Sequence, residues 1–195
     1  FPYNTGTNCN PSQPARNLMK HLCNSATRNA TLVLWLALGS LLTAAEKNDL
    51  ANARSTIDRQ QLQKHVDVLA ADTFEGRAAG SRGGQAAAGY LVEQLQKIGL
   101  AGGALEEKYY QPFSDGSRNI LAIIPGSDKR LKNEIIMVGA LYDHVGYGKR
   151  SNSYGPLGYI HNGADDNASG VAGLLELGEA LKQLPQAPRR TILLA

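Results

Sequence analysis

The chain of 195 residues is poor in cysteine: it has two, Cys9 and Cys23, and both lie ahead of Asn24. Everything after them therefore lacks a disulfide framework and a cysteine-ligated metal site. Residues 1–45 contain no acid and three basic residues, Arg16, Lys20 and Arg28. The remainder carries 17 basic and 17 acidic residues, so the net charge of +3 belongs to the leader. A neutral body has no electrostatic footprint for nucleic acid. The longest uncharged apolar run, Thr31–Leu42, stops short of the roughly 18–20 residues that a membrane span needs. No G-x-G-x-x-G opens a helix after a strand, and there is no G-x-S-x-G elbow. Gly146–Ser151 approaches a phosphate-binding loop. It fails, because Asp143 stands at the first glycine position and Arg150 at the hydroxyl position after Lys149. Dinucleotide binding, nucleotide hydrolysis and serine hydrolysis are thereby set aside.

What is present begins with a leader in two parts. Residues 1–18 have no apolar period and read as an upstream segment without structural weight. From Met19, the cations Lys20 and Arg28, the apolar run Thr31–Leu42 and the small residues Thr43, Ala44 and Ala45 follow the layout of a secretory signal peptide. Residues 19–45 are expected to be removed on export to a periplasmic or extracellular location, leaving no stable membrane span. The alternative is an N-terminal anchor.

Residues 46–195 read as α/β. Ser55-x-x-Asp58 has capping-box spacing and precedes Leu62, Val66 and Leu69 at helical intervals. Asp72–Gly84 is glycine-rich and reads as a loop. A helix is predicted over Arg82–Ile98, with Gly99 as its stop, and another over Ala168–Leu184. Asn119–Ile124, Glu134–Tyr142 and Arg189–Ala195 are apolar runs of the kind buried on both sheet faces. Strands alternating with amphipathic helices predict a mostly parallel sheet. Ending midway along a buried-type strand, residues 46–195 are expected to be a partial domain, and an unstable one.

Two carboxylate groups carry the chemistry. Asp143 ends a predicted strand, and Asp165-Asp166 sits in a loop (Asn162–Gly170) that opens into a helix. Ligands of open α/β sheets bind beyond the carboxyl ends of strands. Adjacent carboxylates repel unless protonated, hydrogen-bonded or metal-bound. Asp166 or Asn167 could serve as a helix cap, which leaves the Asp165 carboxylate without a partner, while a carboxylate can also bridge a metal pair about 3.5–4 Å apart. On chemistry alone, capping and metal binding stay open. His161 reads as a solvated loop residue and His65 as structural.

The strings Phe74–Gly83 (FEGRAAGSRG), Asn119–Ala122 (NILA), Tyr142–Gly146 (YDHVG) and Gly163–Val171 (GADDNASGV) resemble metallopeptidase family 28 in the same order. This family comprises zinc-dependent aminopeptidases of the bacterial leucyl and aminopeptidase Y type. The resemblance covers residues 55–195, the amino-terminal half of such a catalytic domain. It implies a three-layer α/β/α sandwich and two zinc ions sharing a water or hydroxide. The implied substrates are peptide or protein N-termini. By the same resemblance Asp165 bridges the metals, the Asp165–Asp166 peptide is cis, and Asp143 orients a metal-ligating imidazole. That imidazole is missing: the family pattern His-Tyr-Asp-His reads Leu141-Tyr142-Asp143-His144 here. Leucine cannot ligate zinc, so reduced or absent zinc binding is expected. His144 belongs to the ordinary pattern and, three residues on along a strand, points away from position 141. The resemblance implies a zinc aminopeptidase represented by an incomplete catalytic domain. A non-catalytic binding relative of the same fold is the alternative, and a zinc-dependent transferase or carboxypeptidase a third.

Overall fold

The computed structural model describes residues 48–113 and 116–195. The upstream segment 1–18 and the expected signal peptide 19–45 lie outside the described residues. Helix α1 spans Arg59–Leu69, α2 Arg82–Ile98 and α3 Ser169–Lys182. Their ends follow from local chemistry. Ser81 accepts a hydrogen bond from the Gly84 amide to start α2, and Gly99, at φ 79°, ends it in the left-handed conformation. For α1 the expected capping box is not used. Asp58 caps the helix by accepting from the Gln60 amide at 3.1 Å, while the Ser55 hydroxyl donates to the Asn52 carbonyl. Among the described residues no helix is long and apolar enough to cross a membrane.

Strands β1 (Ala101–Gly102), β4 (Ala122–Ile124), β6 (Thr191–Leu194) and β5 (Ile135–Val138) lie side by side in that order. A separate ribbon pairs β2 (Tyr110–Pro112) with β3 (Arg118–Ile120). The sheet is mixed, as expected, but it is not mostly parallel: β1–β4 and β4–β6 are antiparallel, and β5–β6 alone is parallel. Parallel neighbours need a long crossover, usually helical. Among the described residues only α3, between β5 and β6, provides one within the sheet; β1 and β4 are joined through the β2–β3 ribbon instead.

The expectation of strands buried on both faces is also corrected. Ala122, Ile124, Ile192 and Leu194 face one way and share a core with Leu69 of α1, Leu91 and Leu95 of α2, and Val171 and Leu175 of α3. Ile123 and Leu193, on the opposite face, are half-buried. In β5, Ile135, Ile136 and Met137 are 60%, 47% and 66% exposed. The run reads as buried because it is apolar, but among the described residues β5 is an edge strand, with a neighbour on the β6 side alone. Among the described residues one helical layer and one sheet enclose the core.

Candidate functional site

Three segments meet just beyond β5. The first is a 3₁₀ turn, Asp72–Arg77, inside the region expected to be a loop. Glu75, Gly76 and Arg77 have φ of 52°, 66° and 50°, a left-handed series that only a well-packed surround sustains. Gly76 is required twice over. Besides its φ, a Cβ there would stand 2.5 Å from the His161 carbonyl and 2.6 Å from that of Gly146. Arg77 is fully buried. Its Nε donates to the Tyr142 carbonyl at 2.8 Å, and Nη1 donates to Leu69 at 2.5 Å and Asn162 at 2.6 Å. Nη2 donates to Gly163 at 2.8 Å. Burial pulls the guanidinium below its ordinary value, and the charges of Asp143 and Asp166 push it back up.

The second segment, after β5, carries Leu141, Asp143 and His144. The strand stops at Val138, so strand alternation does not govern these side chains. The His144 amide donates to the Arg77 carbonyl at 3.1 Å, and the Gly146 amide to Gly76 at 3.0 Å. Asp143 is half-buried, and Leu141 is 68% exposed. Burial and the neighbouring Asp143 charge push the Tyr142 hydroxyl above its ordinary value, and that hydroxyl donates to the Arg118 carbonyl. From Gly146 the chain runs out into a loop whose base is closed by the His161 amide donating to the Gly146 carbonyl at 2.8 Å. The His161 ring stays within that loop, with Nε2 2.9 Å from the Pro156 carbonyl and 3.3 Å from the Ser153 hydroxyl.

The third segment is a π-helical turn, Ala164–Ala168, leading into α3. Asn162 anchors its approach by donating to the Ala70 carbonyl and the Asp72 carboxylate, both at 2.7 Å. Gly163 (φ 58°) lets the turn close, since a Cβ would lie 2.5 Å from the Asp166 carbonyl and 2.7 Å from the His144 ring. The capping question has a definite answer. Asn167 Oδ1 accepts from the Gly170 amide, so neither aspartate is spent as a cap. Asp165 and Asp166 are both exposed. Asp166 Oδ2 lies 3.7 Å from His144 Nδ1, whereas Asp165 is engaged through its backbone carbonyl, which accepts from the Ser169 hydroxyl. The implied cis peptide is found one bond later than expected, between Asp166 and Asn167.

Beside Asp143 opens a cavity of about 180 Å³, walled by Leu91, Leu95, Val171, Leu174 and Leu175. Its apolar lining suits a hydrocarbon side chain. Among the described residues no three His, Cys, Asp or Glu side chains gather as a metal ion requires. Sequence reasoning located Asp143 and the Asp165–Asp166 pair but passed over Arg77. Its one signal was its place after glycine in the Phe74–Gly83 string.

The pattern of peptidase family M28 matches residues 119–195, the stretch that holds Asp143 and the Asp165–Asp166 turn. Over that stretch the chain is similar to peptidase family M28. A probable leucine aminopeptidase of Trichophyton verrucosum is 31% identical over 135 residues, covering 68% of this chain and 33% of that protein. Another, from Arthroderma otae, is 34% identical over 126 residues, covering 63% of this chain and 30% of its own length. The chain thus spans about a third of the curated relatives it matches. Its fold is similar to that of the Legionella pneumophila LapA aminopeptidase. There the TM-score is 0.51 at 16% identity, with 76% of this chain and 36% of the other covered.

Proposed function

We propose that this chain serves the hydrolysis of N-terminal peptide bonds as part of an exported zinc aminopeptidase. The observation that carries the reading is the convergence of Asp143, His144 and the Asp165–Asp166 turn around one buried arginine, with Asn167 taking the capping role. Two carboxylates left uncapped at a helix entrance are the kind of group that a dication would neutralise. The resemblance assigns the bridging role to Asp165. The approach of the Asp166 carboxylate to His144, and its action with Asp143 on Arg77, favour Asp166. By themselves the described residues do not fit a zinc ion, because fewer than three donors gather and Leu141 stands at the imidazole position. What the chain's own residues do is hold the carboxylates together and set an apolar cavity beside Asp143. The exposed Leu141 at that cavity favours a second reading, a binding protein of the same fold.

Zinc titration of the chain extended through the rest of the catalytic domain tests both. Leu141→His should raise the zinc bound per chain and, with it, release of N-terminal leucine from peptides. Asp166→Asn should weaken zinc by about tenfold or more, and Asp165→Asn by less. Asp143→Asn should matter little while Leu141 stands and cost about 10–100-fold once His is restored. No zinc binding by Leu141→His would discard the peptidase reading for the binding one, and equal effects of Asp143→Asn in both backgrounds would remove the role given to Asp143.

A further inference from the structure

We propose that Arg77 is the positioning residue of this site. It acts as a buried fork that holds the chain leaving β5 and the chain entering the Asp165–Asp166 turn at one separation. The inference rests on the reading that these carboxylates are the working groups. Arg77 donates to four carbonyls, those of Leu69, Tyr142, Asn162 and Gly163, which belong to three stretches far apart in sequence. Two of these stretches lead directly into Asp143 and into Asp165.

The backbone grips the same place as the side chain. Arg77 and Gly76 accept from the His144 and Gly146 amides, so the segment carrying Asp143 is held from both sides of one residue. Among the described residues Arg77 forms no ion pair, although Asp143 and Asp166 both act on its charge from farther off. A buried cation without a carboxylate in contact is an expensive way to fill a core, and an apolar residue of similar size would often serve stability as well or better. The spread of its donors explains the choice of residue. A guanidinium presents a rigid planar fork in several directions, whereas a lysine ammonium concentrates its donors on one nitrogen. The positive charge also sits behind Asp143 and Asp166, which lets two like-charged groups approach the same corner.

The test uses the full chain. In the wild-type protein, nitrogen-15 NMR should resolve separate, slowly exchanging Nε and Nη protons for Arg77, since each nitrogen is fixed on a carbonyl. One rotationally averaged signal would overturn the proposal without any variant being made. Hydrogen exchange of Arg77→Lys and Arg77→Met should then quicken by about 100-fold at the amides of His144, Gly146 and Ala168. Amides of α2 and of the β4–β6 pair should stay within about threefold of wild type. Uniform acceleration through the molecule would make Arg77 a general core residue, and wild-type behaviour of Arg77→Lys would reduce it to a charge; either overturns the fork. Because exchange is read without metal, failure of the functional reading shows separately, as an absence of zinc binding in Leu141→His.

Discussion

Strands β5 and β6 lie in register, Ile136 beside Ile192 and Val138 beside Leu194, with similar residues on both. Ile192 and Leu194 are 7% and 2% exposed, while Ile136 is 47%. Apolar composition is therefore not what decides burial here. Neighbours decide it: β6 has a strand on each side and the core under α2 and α3 beneath it, whereas β5 has one strand. An apolar edge strand is a template for pairing with another chain.

The sharpest challenge to this contrast is a pair of truncations. Leu194→Ala should lower the unfolding free energy by about 2–5 kcal/mol in a denaturant titration, through lost transfer energy and the cavity left behind. Met137→Ala should stay within about 0.5 kcal/mol. Comparable losses would mean that β5 is covered in solution.

A second expected effect is confined to the covered side. His65 of α1 bonds through Nδ1 to the Tyr90 hydroxyl of α2 at 2.6 Å, and its Nε2 is 3.8 Å from Glu176 of α3. Glu176 also accepts from the Asp58 amide at the start of α1. Burial lowers the His65 pKa from 6.5, with Lys64 acting the same way and Glu176 and Glu179 opposing. Between the lowered value and 6.5 the unfolded chain binds the extra proton. The contribution of neutral His65 is thus intact above pH 6.5 and is lost as pH falls through the folded value. Denaturation midpoints should drop between pH 7.5 and 5.5, and His65→Phe should flatten that difference. An unchanged slope in His65→Phe would assign the acid sensitivity elsewhere.

The smallest effect on stability should come from Met137→Lys. The unfolding free energy should stay within about 0.5 kcal/mol, while light scattering should report less self-association, since a charge on an edge strand opposes pairing. Unchanged scattering would show that β5 is not the sticking surface.

Legibility in the sequence followed the same division. Helices α2 and α3 were readable because their apolar stripes and end signals, Gly99 above all, are local. Strands β1 and β2 were not, since two or three residues such as Ala101–Gly102 carry no alternation. The exposure of β5 was invisible because a run of Ile and Met looks alike at an edge and in the middle of a sheet. At the site, Asp143 stood out as the acid ending an apolar run, and Asp165–Asp166 as adjacent acids in a small-residue loop. Arg77 did not, because a charged residue ordinarily reads as solvated and its partners are backbone carbonyls, which no side-chain pattern names. The one-bond displacement of the cis peptide has the same origin: the string Gly163–Gly170 aligns well enough to find the turn, but not to say which bond within it is cis.

The bond from His161 to Gly146 makes the intervening loop a closed appendage, hung from a point already fixed on Gly76. Its outer part, around the fully exposed Tyr154, can therefore vary in length without passing the change to Asp143 or Asp166. Closure entropy rises by only about 0.6 kcal/mol for each doubling of such a loop. The molecule thus has a tip where evolution or an engineer can write new surface, one step removed from the carboxylates and mechanically insulated from them.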